Sequence, residues 1–388
     1  MDMDFAVPDS QIFPQELVDY VIDFCHDDIA ALQAFARVSQ PCLPSARRHI
    51  FDTITIKPGQ DGPSSLDGLA SLMKLDSTVC LSVRHLYFDG ASQDSSQPGI
   101  LGEVALSIIL DAIHLFTNLR ILSIENVVLI DDVLYSIPDI TERRAIHSLD
   151  FVGCDVRTET HGWRPIFHIL SHFSFINALT LYEVAPVSLG IGWGHCPSPS
   201  TCKTRVRNMA IARILPRARF LVDGLLALLD MRDTRRIHVG YSLLLTPFYR
   251  PLLEAAGNLF TLTVHNDCTC TIGLPHHKPL TSSTHPTAIF DPVIAPEDEP
   301  LVAPAIAPSI KLQGCTNLQF LTVVFHSSDY DKTDLLVSLP LSSTIPFLTV
   351  QFYVESPESG ITGERNIELL FGRAHWEEIG VELRRRFT

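Results

Sequence analysis

The chain lacks a long uninterrupted apolar run. Its longest uncharged stretch, residues 184–202, carries Pro186, Pro197, Pro199 and three glycines, so it reads as loop, and no other run is long and apolar enough to span a bilayer. Basic excess is missing too. Lys and Arg number 29 against 44 Asp and Glu, for a net charge of −15. That sign argues against general binding to nucleic acid or to an anionic membrane surface. The first ten residues, MDMDFAVPDS, are acidic and have no apolar centre, unlike a secretory leader. The 9 cysteines are odd in number and scattered, which suits reduced thiols in cytoplasm or nucleus better than a disulfide framework. No Gly-x-Ser-x-Gly elbow, His-Glu-x-x-His helix, Walker loop or dinucleotide fingerprint is present. The expectation is a chain that is not an enzyme, with no catalytic residues, no cofactor and no metal.

Apolar patterning is plentiful. The chain has 388 residues, 46% of them hydrophobic, with a mean hydropathy of +0.19. Most of it should therefore pack, as two domains or as one long repeat array. One short pattern recurs: apolar, two residues, Leu-like, one residue, apolar. Clear copies are Val83-x-x-Leu86-x-Phe88, Leu119-x-x-Leu122-x-Ile124, Ile146-x-x-Leu149-x-Phe151, Ile176-x-x-Leu179-x-Leu181, Leu259-x-x-Leu262-x-Val264 and Leu318-x-x-Leu321-x-Val323. Weaker copies are Val206-x-x-Met209-x-Ile211, Ile237-x-Val239 and Leu348-x-Val350. From Leu86 to Leu262 the spacing runs from 25 to 36 residues. Alternating apolar residues are the buried side of a strand, and helical patterns at 104–115, 166–173, 225–229 and 252–259 lie between copies. One strand and one helix per unit is the pattern of leucine-rich repeats. Such units stack into a solenoid, with parallel strands inside and helices outside. An ordinary α/β domain of βαβ units repeats a strand and a helix as well.

Two segments break the rhythm. Residues 190–203 are rich in Gly, Pro and Ser. Residues 273–308 hold eight prolines and the acidic run Glu297-Asp298-Glu299, which predicts an exposed or disordered insertion. Residues 364–387 are amphipathic, with Ile367, Leu370, Phe371, Trp376, Ile379 and Leu383 on one face, and predict a capping helix. Cys196, Cys202, Cys268 and Cys270, with His276 and His277, have spacings unlike structural zinc sites and read as free thiols.

Residues 13–51 read as three short helices. Pro14 opens the first, where its missing N–H is no loss, and Glu16 suits the first turn. Leu17, Val18, Val21, Ile22 and Cys25 share one face. Asp27 and Asp28 can cap a second helix that buries Leu32, Phe35 and Ala36. Pro44 opens a third. The run Phe13-Pro14, Glu16-Leu17-Val18, Ile22, Leu32, Val38-Ser39 and Cys42 resembles the F-box-like domain, with Phe13 at a usual Leu and Cys42 at a usual Trp. The continuation through Leu43-Pro44, Ala46-Arg47, His49 and Phe51 is similar to fungal F-box-like families.

That resemblance implies an F-box-like module at 1–57 and an irregular leucine-rich-repeat domain at 58–388. It implies a substrate adaptor of a cullin-RING ubiquitin ligase. Phe13, Pro14, Glu16, Leu17, Val18, Ile22, Leu32, Val38 and Cys42 would hold a Skp-type adaptor and its cullin complex. In the repeats, residues between the apolar positions point to the concave face. There Tyr87, Glu125, Asp150, Tyr182, Arg236, His238 and His265 would hold a target protein, since Tyr and Arg are enriched at energetic centres of interfaces. Neither nucleic acid nor membrane is expected as partner, and the location would be cytoplasmic or nuclear. The alternatives are a repeat-based protein-binding scaffold without ligase function, which Cys42 motivates, and an unrecognised hydrolase.

Overall fold

The computed structural model describes residues 14–59, 64–75, 77–91, 101–132, 143–157, 162–186, 203–214, 218–240, 250–265, 317–326, 347–353 and 367–371. The first three elements are helices: α1 (Gln15–Phe24), α2 (Ile29–Val38) and α3 (Cys42–Ile50). Pro14 immediately precedes α1. The Asp28 carboxylate accepts the Ala31 N–H at 2.9 Å and caps α2. Ile22, Leu32, Cys42 and Ala46 form a small core of their own, with Val18, Phe35, Ala36 and Ile50 packed around it. Asp23 ties α1 to α3 through Arg48 at 2.7 Å and His49 at 2.6 Å.

Only Phe51 and Asp52 separate α3 from β1 (Thr53–Ile56). Helices α4 (Leu66–Leu75) and α5 (Ser77–Ser82) lead to β2 (His85–Asp89). Then come β3 (Gly102–Ala105), α6 (Leu106–Leu115), β4 (Ile121–Glu125) and β5 (Val127–Ile130). Next are β6 (Arg144–Val152), β7 (Asp155–Arg157), α7 (Arg164–Ser171), β8 (Phe173–Tyr182) and β9 (Ala185–Pro186). After them follow β10 (Thr204–Ala212), α8 (Ala218–Leu228), β11 (Leu229–Asp230), β12 (Arg236–Gly240) and α9 (Arg250–Ala255). The last described strands are β13 (Thr261–His265), β14 (Phe320–His326), β15 (Phe347–Tyr353) and β16 (Ile367–Phe371).

The strands make one continuous sheet of 12 and a second of 4. In the large sheet the order is β1-β2-β4-β6-β8-β10-β12-β13-β14-β15-β16, with β11 on the flank of β10. All its pairs are parallel except β15 with β16. The order never reverses along the chain, so the large sheet has no topological switch point. Register explains its core. Ile54, Leu86, Leu122, Leu149, Leu179, Met209, Ile237, Leu262, Leu321 and Leu348 form one row across ten strands. Two residues further along each strand, the row from Ile56 and Phe88 to Val323 and Val350 lies parallel to it. Their members from Ile54 and Ile56 to Leu321 and Val264 pack with Ile109, Leu110, Ile113, Ile166, Leu170, Leu221, Leu225 and Leu252 from the helices. Each such side chain contributes about 1.5–3 kcal/mol by leaving water.

In the small sheet, β3-β5-β7-β9, the strands β5, β7 and β9 each follow a turn at the end of a large-sheet strand. Asn126, Gly153, Glu183 and Arg213 have φ of 53, 59, 54 and 51°. The left-handed region costs a residue with a side chain about 1–2 kcal/mol. Backbone bonds hold these turns. Asn126 N–H donates to Val152 O at 2.8 Å, Gly153 N–H to Tyr182 O at 2.9 Å, and Glu183 N–H to Ala212 O at 3.0 Å. A Cβ on Gly153 would stand 2.6 Å from Asn126 Oδ1, so the ladder leaves no room there. On the other side of the strands, Asn118 and Asn258 donate to Leu81 O at 2.6 Å and Arg232 O at 2.7 Å. They tie each unit to the one before.

The expected architecture of a three-helix F-box-like module followed by a leucine-rich-repeat solenoid is corrected. What stands is a single extended, almost wholly parallel sheet flanked by helices, with a second small sheet beside it. Helices α1 to α3 run directly into its first strand. Period-two burial with an intervening helix is common to parallel α/β sheets in general, so the pattern reported buried strand faces and not a repeat family. Within 364–387, where a helix was expected, Ile367–Phe371 is the one antiparallel strand. A five-residue apolar run does not distinguish the two states. The insertion at 273–308, the loop at 190–202 and all the cysteines and histidines weighed for zinc lie outside the described residues.

Leu149 is fully buried in the middle of the first apolar row. Leu149→Ala should cost about 3 kcal/mol of unfolding free energy in a urea titration. A loss below about 1 kcal/mol would mean that this row is not the core.

Candidate functional site: the polar face of the sheet

The face opposite the apolar rows carries three rows of its own. The middle row runs Thr55, Tyr87, Ser123, Asp150, Thr180, Ala210, His238, Thr263 and Thr322. Nearer the strand starts lie Thr53, His85, Ile121, Ser148, Ala178, Asn208, Arg236 and Thr261. Nearer the strand ends, Asp89, Glu125, Val152, Tyr182 and Ala212 form a third row. The residues assigned to the target surface share this face. Tyr87, Asp150 and His238 are in the middle row, Glu125 and Tyr182 in the third, and Arg236 in the first. His265 pairs in register with Gly240, at the end of β13.

The face is electrically uneven. Its β1–β6 end gathers Asp52, Asp89, Glu125 and Asp150. Asp150 is only 4% exposed, and Ser148 Oγ donates to its Oδ2 at 2.9 Å. Ser123 Oγ donates to Glu125 Oε1 at 2.7 Å. Tyr87 stands among these groups. Burial first, then the charges of Asp150, Glu125 and Asp52, push its hydroxyl above the usual phenol range. The β10–β12 end gathers arginines. Arg205 lies 5.9 Å from the centre of the Phe175 ring, and Arg213 5.6 Å from that of Tyr182. Burial, and then Arg236, hold His238 below the usual imidazole range.

Register also builds pairs that no local motif announced. Asp52 Oδ2 lies 3.3 Å from His85 Nδ1, and Asp52 Oδ1 lies 3.5 Å from Arg84 Nη1. A carboxylate on one imidazole nitrogen fixes the tautomer and orients the ring, the arrangement a general base needs. On the helix side, Arg164 Nη1 lies 3.6 Å from the buried Asp131 Oδ2. The rings of His114 and His172 meet edge-on at 5.0 Å. The expectation that the chain is not an enzyme is corrected: these three pairs bring together side chains of the kind that catalysis uses. Asp52 and His85 are far apart in sequence and meet only because β1 pairs with β2.

The nine residues expected to hold a Skp-type adaptor are divided. Ile22, Leu32 and Cys42 are buried in the helical core, while Leu17 and Val38 are exposed at 53% and 74%. Phe13 lies outside the described residues. Beside Leu17, α1 also exposes Tyr20, Val21 and Phe24.

No family model, curated protein or solved structure matches this chain. The resemblance to F-box-like proteins with leucine-rich repeats is therefore corrected. The ligase-adaptor function that the resemblance implied is corrected with it. It rested on a family that no comparison supports.

His172 gives a pH prediction. It is 5% exposed. Burial first, then the charges of His114, His168 and Arg143, push it down to about 4. Unfolded, it binds a proton near the ordinary 6.5. Stability should be complete above that value and decline as pH falls from about 6.5 towards 4. Urea midpoints measured across that window should fall less steeply for His172→Gln than for the wild type. Equal slopes would contradict the assignment.

Proposed function

We propose that the protein is a partner-binding protein whose working surface is the polar face of the large sheet. The observation that carries this reading is the middle row. Ser123, Asp150, Thr180 and Thr263 are all buried on the face opposite the apolar rows. Burying polar groups is costly unless they are held, and Ser123 and Ser148 hold the carboxylates beside them. The result is a rigid floor, flanked by Tyr87 and His238. Mixed charge and pre-set side chains suit a protein segment, because little entropy remains to be lost on docking.

A peptide library displayed on phage should yield binders to the immobilised chain. Tyr87→Ala and His238→Ala should each weaken the selected peptides by roughly tenfold, as expected of interface centres, with melting temperatures unchanged. Binders indifferent to both substitutions would overturn the reading.

A second reading is acid–base catalysis at His85, favoured by the Asp52 carboxylate on its Nδ1. It predicts turnover of chromogenic esters that falls at least about a hundredfold in His85→Ala. Absence of turnover in the wild type, or turnover that survives the substitution, would exclude it.

A further inference from the structure

We propose that the residues at the strand starts bind an extended acidic segment of a protein partner, with an apolar side chain of that segment resting on Phe260. The inference rests on the reading of the polar face as a partner surface, because these residues border it.

The border is set by backbone pairing. Arg84 O accepts the Arg120 N–H at 2.7 Å, and Arg120 O accepts the His147 N–H at 2.8 Å. Further along, Arg235 N–H donates to Arg207 O at 2.8 Å, and Phe260 N–H donates to Arg235 O at 2.8 Å. Between these two runs lies Asn177 on β8, one residue before the Ala178–Asn208 pair. The border therefore holds one residue per strand, at one level of the sheet.

Its charge is the opposite of the chain's. Arg120, Arg207, Arg235 and the adjacent Arg236 are exposed, and none of them has an ion pair among the described residues. They stand unneutralised in a protein of net charge −15. Arg84 is different, being held by Asp52 at 3.5 Å. Guanidinium forks match carboxylates two bonds at a time.

Spacing defines the partner. Neighbouring strands are about 4.8 Å apart. From Arg120 to Arg207 there are three strand steps, or about 14 Å, which is about four residues of extended chain. Arg235 is one step further, and Phe260 one step beyond that. Phe260 is 40% exposed, with its ring 5.1 Å from that of Phe320. A fitting segment has one acidic residue, three spacers, two acidic residues and an apolar one. A nucleic acid suits the border less well, because its charge recurs at every nucleotide while His147 and Asn177 interrupt the arginines.

The probe is the fluorescein-labelled peptide Glu-Gly-Ser-Gly-Glu-Glu-Phe, titrated by anisotropy against the full chain. Three comparison probes are the same peptide with Gln for Glu, the same with Lys for Glu, and a single-stranded oligouridylate. The Glu peptide should bind, and R207E/R235E should weaken it by at least roughly tenfold. The same double variant should gain at least roughly tenfold for the Lys peptide, a gain that a misfolded variant would not show. Phe260→Ala should weaken the Glu peptide about threefold to tenfold. Absence of binding by the Glu peptide, equal binding by the Gln peptide, tighter binding by the oligouridylate, or indifference to R207E/R235E would each overturn the proposal. If the phage-selected peptides depend on Tyr87 while R207E/R235E changes nothing, the border fails and the face stands. If the charge swap succeeds while no selected peptide depends on Tyr87 or His238, the border stands and the face fails.

Discussion

Everything in this protein depends on period-two burial held in register across a continuous parallel sheet. Once Leu149 and Phe151 face the core with their counterparts on neighbouring strands, Ser148 and Asp150 have no choice of side. A slip of one residue in any strand would turn two core side chains onto the polar face and two polar ones into the core. The apolar rows thus fix which polar residues become neighbours. Asp52 meets His85, Tyr87 sits among Asp150 and Glu125, and arginines from separate strands line one border. Function is a by-product of the register that stability enforces.

The same constraint explains the tolerance of unfavourable local conformation. Three residues with side chains, Asn126, Glu183 and Arg213, occupy the left-handed region at equivalent turns. The turns at Asn126 and Glu183 carry the chain from the large sheet to the small one. At both turns the cost is offset by inter-strand bonds that continue the ladder one residue past the strand. At Arg213 an ion pair with Glu183 at 3.5 Å and the Tyr182 ring give the side chain further contacts.

Strand positions were legible because alternation leaves a direct trace in the sequence. Leu86, Leu122, Leu149, Leu179, Met209, Ile237, Leu262, Leu321 and Leu348 all fall on strands and in one row. The location of the three N-terminal helices was legible for similar reasons, from Pro14, the Asp28 cap and helical spacing. The overall architecture was misread, because a strand–helix rhythm does not say whether units form a separate module and solenoid or one unbroken sheet. The small sheet left no readable trace, since β7 and β9 are only three and two residues long. The Asp52–His85 pair and the arginine border were illegible as well. Each depends on cross-strand register, which local patterning does not encode. One usable signal went unread. Asn118, Asn258 and Asn317 each precede a Leu of the recurring pattern, and all three donate a side-chain bond to a backbone carbonyl of the preceding unit.

Amide hydrogen exchange, followed with and without a peptide selected for binding, tests the central claim most directly. If the polar face is the working surface, protection should rise in the segments around 84–89, 120–125, 207–211 and 235–239, with helices α6, α7 and α8 unchanged. Protection confined to those helices, or to α1 and its exposed apolar side chains, would contradict the account and move the working surface elsewhere.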